Sequence, residues 1–219
     1  MGTLLNRRRY MGVAKEQGYI QDGLVFWLDG IDKGTADTDK WVDLINGVTF
    51  GNPQGVTWNE NRFATTQNFC FPLTSGEIPW GDGYTFELAF NNTGTKANVF
   101  VLFQKASDSN AFHIYFNSAK IRWKKGEKPW TFASAIRGSY RTLGFNSARC
   151  YVNGLERTAE SSADTYGPTV STACLGHPND IAMPGYLYAI RIYNRTLSAD
   201  EIIANQRIDN IRFNLGLTI

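Results

Sequence analysis

Residues Gly185 to Ile203 constrain the fold more than any other part of the chain. The run Gly185-Tyr186-Leu187-Tyr188-Ala189-Ile190-Arg191-Ile192-Tyr193 mixes alternating and continuous apolar positions. A strand buried on one or both faces has that pattern. The chain then turns through Asn194-Arg195, and Ser198 stands three residues before Glu201. This is the spacing of a capping box, so a short helix is expected from Ser198 with Ile202, Ile203 and Ile208 on its apolar side. A strand that hands over directly to a small capped helix closes a β core at one edge. The tail from Ile208 to Phe213 is read as a further edge strand.

Upstream, the same alternation recurs in short segments. Tyr84, Phe86, Leu88 and Phe90 share one face of a strand. Gly23 to Asp29 is nearly continuous in apolar residues, as expected for a strand covered on both sides. Strands are also expected at Val48–Phe50, Val56–Trp58, Phe69–Phe71 (stopped by Pro72), 97–104, 111–116, 120–124, 130–135, 140–145, 148–152 and 170–175. Asn153-Gly154 is a type I′ hairpin signal. A dozen or more short strands with turn residues every 8–12 positions point to an all-β sandwich or barrel. At 219 residues, one large β domain is sufficient to hold them.

Charge excludes two classes of partner. The net charge is +2 and charged residues make up 19% of the chain, so neither a nucleic-acid surface nor a membrane surface is expected. No apolar run is long enough to span a membrane. Residues 1–20 differ from the rest. They carry Arg7-Arg8-Arg9 and no repeating apolar face, and are read either as a solvated tail or as an arm that attaches residues 21–219 to a larger assembly. The opening Met1-Gly2-Thr3-Leu4-Leu5 leads straight into the arginines, so no secretory signal is expected. Cys70, Cys150 and Cys174 lack metal-ligand spacing and are expected as buried free thiols.

Three pieces, in order, carry a family resemblance. Gly23-Leu24-Val25-Phe26-Trp27-Leu28-Asp29-Gly30 resembles an opening strand, with Trp41-Val42-Asp43 after it. Tyr151-Val152-Asn153-Gly154 resembles a late strand and turn. Gly185 to Ile202 resembles the closing strand and helix of laminin G-like domains in the concanavalin A-like lectin/glucanase superfamily. The resemblance implies a jelly-roll β-sandwich of two antiparallel sheets with a short C-terminal helix. It says less about function, because one fold hosts many activities.

Three kinds of chemistry are open to such a fold. Retaining glucanases need two carboxylates about 5–5.5 Å apart. Glu87 stands alone, Glu156 and Glu160 lie in or after a turn, and His113 and His177 accompany no nucleophile motif, so no enzyme is expected. Calcium takes 6–8 oxygens. The densest acidic group is Asp29, Asp32, Asp37 and Asp39, with Asp43 behind it, and these are the candidate ligands; loop solvation and turn capping explain the same residues. Sugar sites pair an aromatic platform with fixed hydrogen bonders. Trp123 and Trp130 bracket a basic hairpin and form one candidate group. Tyr166, His177, Asn179 and Asp180 form the other.

The expectation is therefore a non-catalytic lectin-like recognition or assembly module. Its partner would be a surface glycan or polysaccharide. A lectin-like body, an arginine-bearing arm and no leader suggest a component of a phage or prophage particle. Residues 1–20 would then contact other particle proteins, and a homo-oligomer is compatible with that setting. A bacterial cell-surface carbohydrate-binding protein is the alternative, and a glycoside hydrolase the more distant one.

Overall fold

The structure is a computed structural model that describes residues 17–79, 83–93, 98–105, 111–117, 120–125, 128–133, 142–146, 149–157, 159–161, 174–176 and 184–219; between 98 and 133, and at 159–161, it describes the backbone alone. The strands are β1 (Leu24–Asp29), β2 (Lys40–Val42), β3 (Thr49–Gly51), β4 (Gln54–Asn59), β5 (Arg62–Ser75), β6 (Thr85–Asn92), β7 (Asn98–Lys105) and β8 (Ala111–Asn117). They continue as β9 (Lys120–Lys125), β10 (Lys128–Ala133), β11 (Thr142–Phe145), β12 (Cys150–Val152), β13 (Leu155–Arg157), β14 (Ala159–Ser161), β15 (Cys174–Gly176) and β16 (Gly185–Tyr193). One helix is described, α1 (Ala199–Arg212). The result is a mostly β, antiparallel fold, as the turn spacing predicts.

β16 is the spine. It pairs with β6 along its length. Its other edge takes β5 at Gly185–Leu187 and β1 at Ala189–Tyr193, with the change at a bulge beside Tyr188. From β6 the order runs outward through β11, β12 and β13, and from β5 through β15, β7, β8, β9, β10 and β14.

Both faces of the central strands are buried, for two different reasons. Phe86, Leu88 and Phe90 of β6, Ile190 and Ile192 of β16, and Phe26 and Leu28 of β1 enter one apolar core. Each fully buried side chain of this kind contributes roughly 1.5–3 kcal/mol. The intervening residues, Glu87, Arg191 and Trp27, point to the other face, where α1 lies against β6, β11 and β12. Gly144 makes that approach close: a Cβ there would stand 2.5 Å from Ile202 Cγ2.

Several expectations need correction. The tail is not an edge strand: α1 runs to Arg212, past Ile208. Its expected apolar side forms, with Ile202 buried and Ile203 and Ile208 packed against the same cluster, but Asn205, Gln206 and Asp209 are buried on the helix as well. These residues find hydrogen-bond partners on the sheet, which offsets their weak helix preference. Pro72 does not end its strand. β5 continues to Ser75, and Pro72, lacking an N–H, falls where β5 passes from β15 to β3. Tyr19 and Ile20, assigned to the arm, belong to the body: Tyr19 is 2% exposed and Ile20 N–H donates to Asn205 Oδ1 at 3.1 Å. The three cysteines are free and buried; Cys70 and Cys174 pack together, apart from Cys150 in the main core.

The capping box forms as expected. Ser198 Oγ accepts from Glu201 N–H, and the Glu201 carboxylate accepts from Ser198 N–H. Arg195 grips that carboxylate at 2.6 Å and holds it well below the usual range, at about 2.

Candidate functional site

Trp58 and Arg62 flank the tight β4–β5 hairpin, in which Asn59 and Arg62 are Cα partners around Glu60-Asn61. The hairpin tip rests on Gly30. A Cβ at Gly30 would meet Asn61 O at 2.5 Å, Tyr188 O at 2.8 Å and Arg62 Cα at 3.0 Å, so only glycine permits this seat. The same residue fixes the Trp58 ring, whose Nε1 donates to Gly30 O at 3.1 Å. Lys33 braces the ring with its ammonium 4.9 Å from the centroid, while donating to the carbonyls of Thr35 and Asp37.

Arg62 is held differently. Its guanidinium carbon lies 4.4 Å from the Tyr186 ring and 6.0 Å from that of Tyr188. Its Nε is buried without a hydrogen-bond partner, and among the described residues no carboxylate pairs with it. Trp58, Asn59, Glu60, Asn61 and Arg62 line an open cleft of about 550 Å³. That volume lies within the ~300–1,000 Å³ range of small-ligand sites. The hairpin therefore offers an indole, two amides, one carboxylate and one unpaired guanidinium to a common space.

The second polar cluster is sealed. Arg191 gives both terminal nitrogens to Asp209, at 2.8 and 2.5 Å, and its Nε to Glu87 at 2.9 Å. Tyr19 OH donates to Asp209 at 2.7 Å, and Arg212 joins Tyr19 to Asp29, reaching the latter at 2.5 Å. Asn205 Nδ2 bonds both Glu87 and the Tyr193 hydroxyl at 3.0 Å. Arg191 and Glu87 are each 1% exposed. Burial pushes the Glu87 carboxyl up to about 7 although Arg191 pulls it down. The cluster holds α1 and Tyr19 to the sheet and opens to no substrate.

The acids expected as calcium ligands do not converge. Asp29 is fully buried, bound to Arg212 and accepting the N–H groups of Ile31 and Asp32. Asp32 accepts from Gly34 N–H, Asp37 pairs with Lys40 at 2.6 Å, and Asp39 is exposed. No group of three or more His, Cys, Asp or Glu side chains suited to a metal forms among the described residues. Asp43 caps its turn, accepting from Ile45 and Asn46 N–H and also from Trp27 N–H, while burial lifts it to about 6.

Of the expected sugar-site residues, Trp123 and Trp130 become direct Cα partners across β9 and β10. Tyr166, His177, Asn179 and Asp180 lie outside the described residues. Trp58 and Arg62 were missed. The signal lay in an aromatic and an arginine bracketing a polar two-residue turn, but their supports, Gly30 and Tyr186, are remote in sequence.

No protein-family model matches the chain, and no curated protein matches it. Solved structures do. Trypanosoma rangeli sialidase in complex with the inhibitor DANA aligns at TM-score 0.58 and 14% identity, over 93% of this chain and 37% of that one. A mutant of the same sialidase displaying trans-sialidase activity aligns at 0.52 and 14%, over 85% and 33%. The sialidase in complex with sialic acid aligns at 0.51 and 14%, over 87% and 33%. The present chain thus spans about a third of the length of those sialidase chains, and what it shares with them is the fold.

Proposed function

We propose that this chain is a non-catalytic, lectin-like recognition module whose partner is a surface glycan or polysaccharide. We further propose that its architecture is the laminin G-like, concanavalin A-like jelly-roll of two antiparallel sheets. The observation that carries the functional reading is the Trp58–Arg62 cleft. It sets an immobilised indole beside two amides, a carboxylate and a guanidinium, groups that can meet the hydroxyls of a sugar. The fold likeness to sialidase chains, two of them solved with sialic acid or the inhibitor DANA, adds support of a general kind. A non-catalytic role is favoured because Glu87, a buried acid in a core strand, is walled in by Arg191 and Asn205. The basic run Arg7-Arg8-Arg9 beside a lectin-like body favours service in a phage or prophage particle, with residues 1–20 meeting other particle proteins; a bacterial cell surface is the alternative setting.

A glycan array with the intact chain tests the function, run with calcium and again with chelator. Saturable binding is expected in both conditions, because Asp29 is committed to Arg212. Binding should fall at least tenfold in Trp58→Ala. Absence of binding to every glycan, with the chain folded, would overturn the reading and leave a purely structural particle protein.

A further inference from the structure

We infer that the Trp58–Arg62 cleft selects sugars that carry a carboxylate. The inference rests on the glycan-binding reading above and names the ligand class of that site.

The argument starts from an imbalance. Among the described residues, the guanidiniums of Arg191, Arg195 and Arg212 each hold a carboxylate within 2.9 Å. Arg62 stacks on aromatic rings with no carboxylate paired to it among the described residues, and its Nε is buried and unpartnered. Stacking on Tyr186 fixes the plane of the guanidinium and leaves its hydrogen-bonding edge unspent. A planar cation so held fits a planar carboxylate, which can accept two parallel N–H bonds. Arg62 is half-buried and its Nε is shut away from a partner, so an anion arriving here gains charge-assisted bonds that a neutral hydroxyl would not.

The neighbours narrow the class. Trp58 lines the cleft beside the cation, and Asn59 and Asn61 can both donate and accept. A carboxylated sugar ring has a matching set: hydroxyls and one anionic edge. Glu60, exposed at the tip with φ +50, also lines the cleft. It can accept from sugar hydroxyls, and it repels groups of higher charge. A monoanionic carboxylate is therefore preferred over a phosphate dianion.

The test is titration calorimetry with oligogalacturonate, a hyaluronan oligosaccharide and 3′-sialyllactose, each beside its neutral counterpart: carboxyl-reduced for the first two, lactose for the third. Wild type and Arg62→Gln are compared, with Arg62→Lys as a second, milder variant. The expected result is at least tenfold tighter binding of one carboxylated probe than of its neutral form, with that ratio collapsing towards one in Arg62→Gln and partly kept in Arg62→Lys. Equal affinity for carboxylated and neutral forms would overturn the ligand class and leave glycan recognition standing. A carboxylate preference that survives Arg62→Gln would overturn the assignment to this cleft. No binding of any probe, charged or neutral, together with a blank array, would overturn both.

Discussion

Replacing Glu87 by glutamine should remove a pH dependence that the wild-type fold carries. The sealed cluster contains two guanidiniums, Arg191 and Arg212, and three acids, Asp29, Asp209 and Glu87. Its charges cancel only when one acid holds a proton, and burial assigns that proton to Glu87, at about 7 against an ordinary value of 4.5. A raised acid binds more protons folded than unfolded between those values. Its contribution to stability is fully present below pH 4.5 and is lost as pH rises through 7. Integrated from pH 5 to pH 8, the loss is roughly 2–3 kcal/mol. Glutamine keeps an oxygen for Arg191 Nε and Asn205 Nδ2, and its amide replaces Glu87 Oε1, which has no hydrogen-bond partner. Urea unfolding of both proteins at pH 5, 6, 7 and 8 measures the effect. The stability of Glu87→Gln relative to wild type should climb by 2–3 kcal/mol across that range, by the same linkage. Asp43, also raised, is common to both proteins and cancels in the difference. Parallel pH profiles would refute the reasoning and mean that Glu87 is ionised throughout.

Three further substitutions probe other parts of the fold. Arg191→Met leaves Asp209 and Glu87 buried without their cation and should destabilise by roughly 3–5 kcal/mol in urea titration. Ser198→Ala removes one half of the capping box and should cost about 1 kcal/mol by the same method, leaving ligand affinity unchanged. Gly30→Ala drives a methyl group into the carbonyls of Asn61 and Tyr188, so glycan affinity should fall at least tenfold as the hairpin tip shifts; unchanged affinity by calorimetry would show that the tip does not form the site.

How much of this was legible in the sequence depended on how local each signal was. The closing strand and its cap could be read because Ser198 and Glu201 lie three residues apart, and the Phe86–Leu88–Phe90 face because alternation is a neighbourhood property. The polar face of α1 was not legible. Glu87 meets Arg191 across 104 positions and Tyr19 meets Asp209 across 190, and nothing within either segment announces its partner. A hydrophobicity pattern also sorts Asn205 and Asp209 to the solvent side, so the sequence does not announce that the helix runs on to Arg212. The cleft shares this difficulty, because Trp58 and Arg62 acquire meaning only from Gly30 and Tyr186. The aspartate group poses the opposite difficulty: proximity along the chain suggests a shared ligand, whereas the fold commits Asp29, Asp32 and Asp37 to separate partners and leaves Asp39 exposed.

The polar underside of α1 has a consequence for how the helix docks. A helix glued down by leucines can slide or roll by a residue and still bury oil against oil. Here Asn205 matches Glu87, Tyr193 and Ile20, Gln206 matches Tyr151 O and Gly154 N–H, and Asp209 matches Arg191 and Tyr19. Rolling the helix by one residue, about 100°, would strand every one of these groups in the dark, far from water. The contact works as a key with cut teeth rather than as an adhesive, and it admits one alignment of helix on sheet.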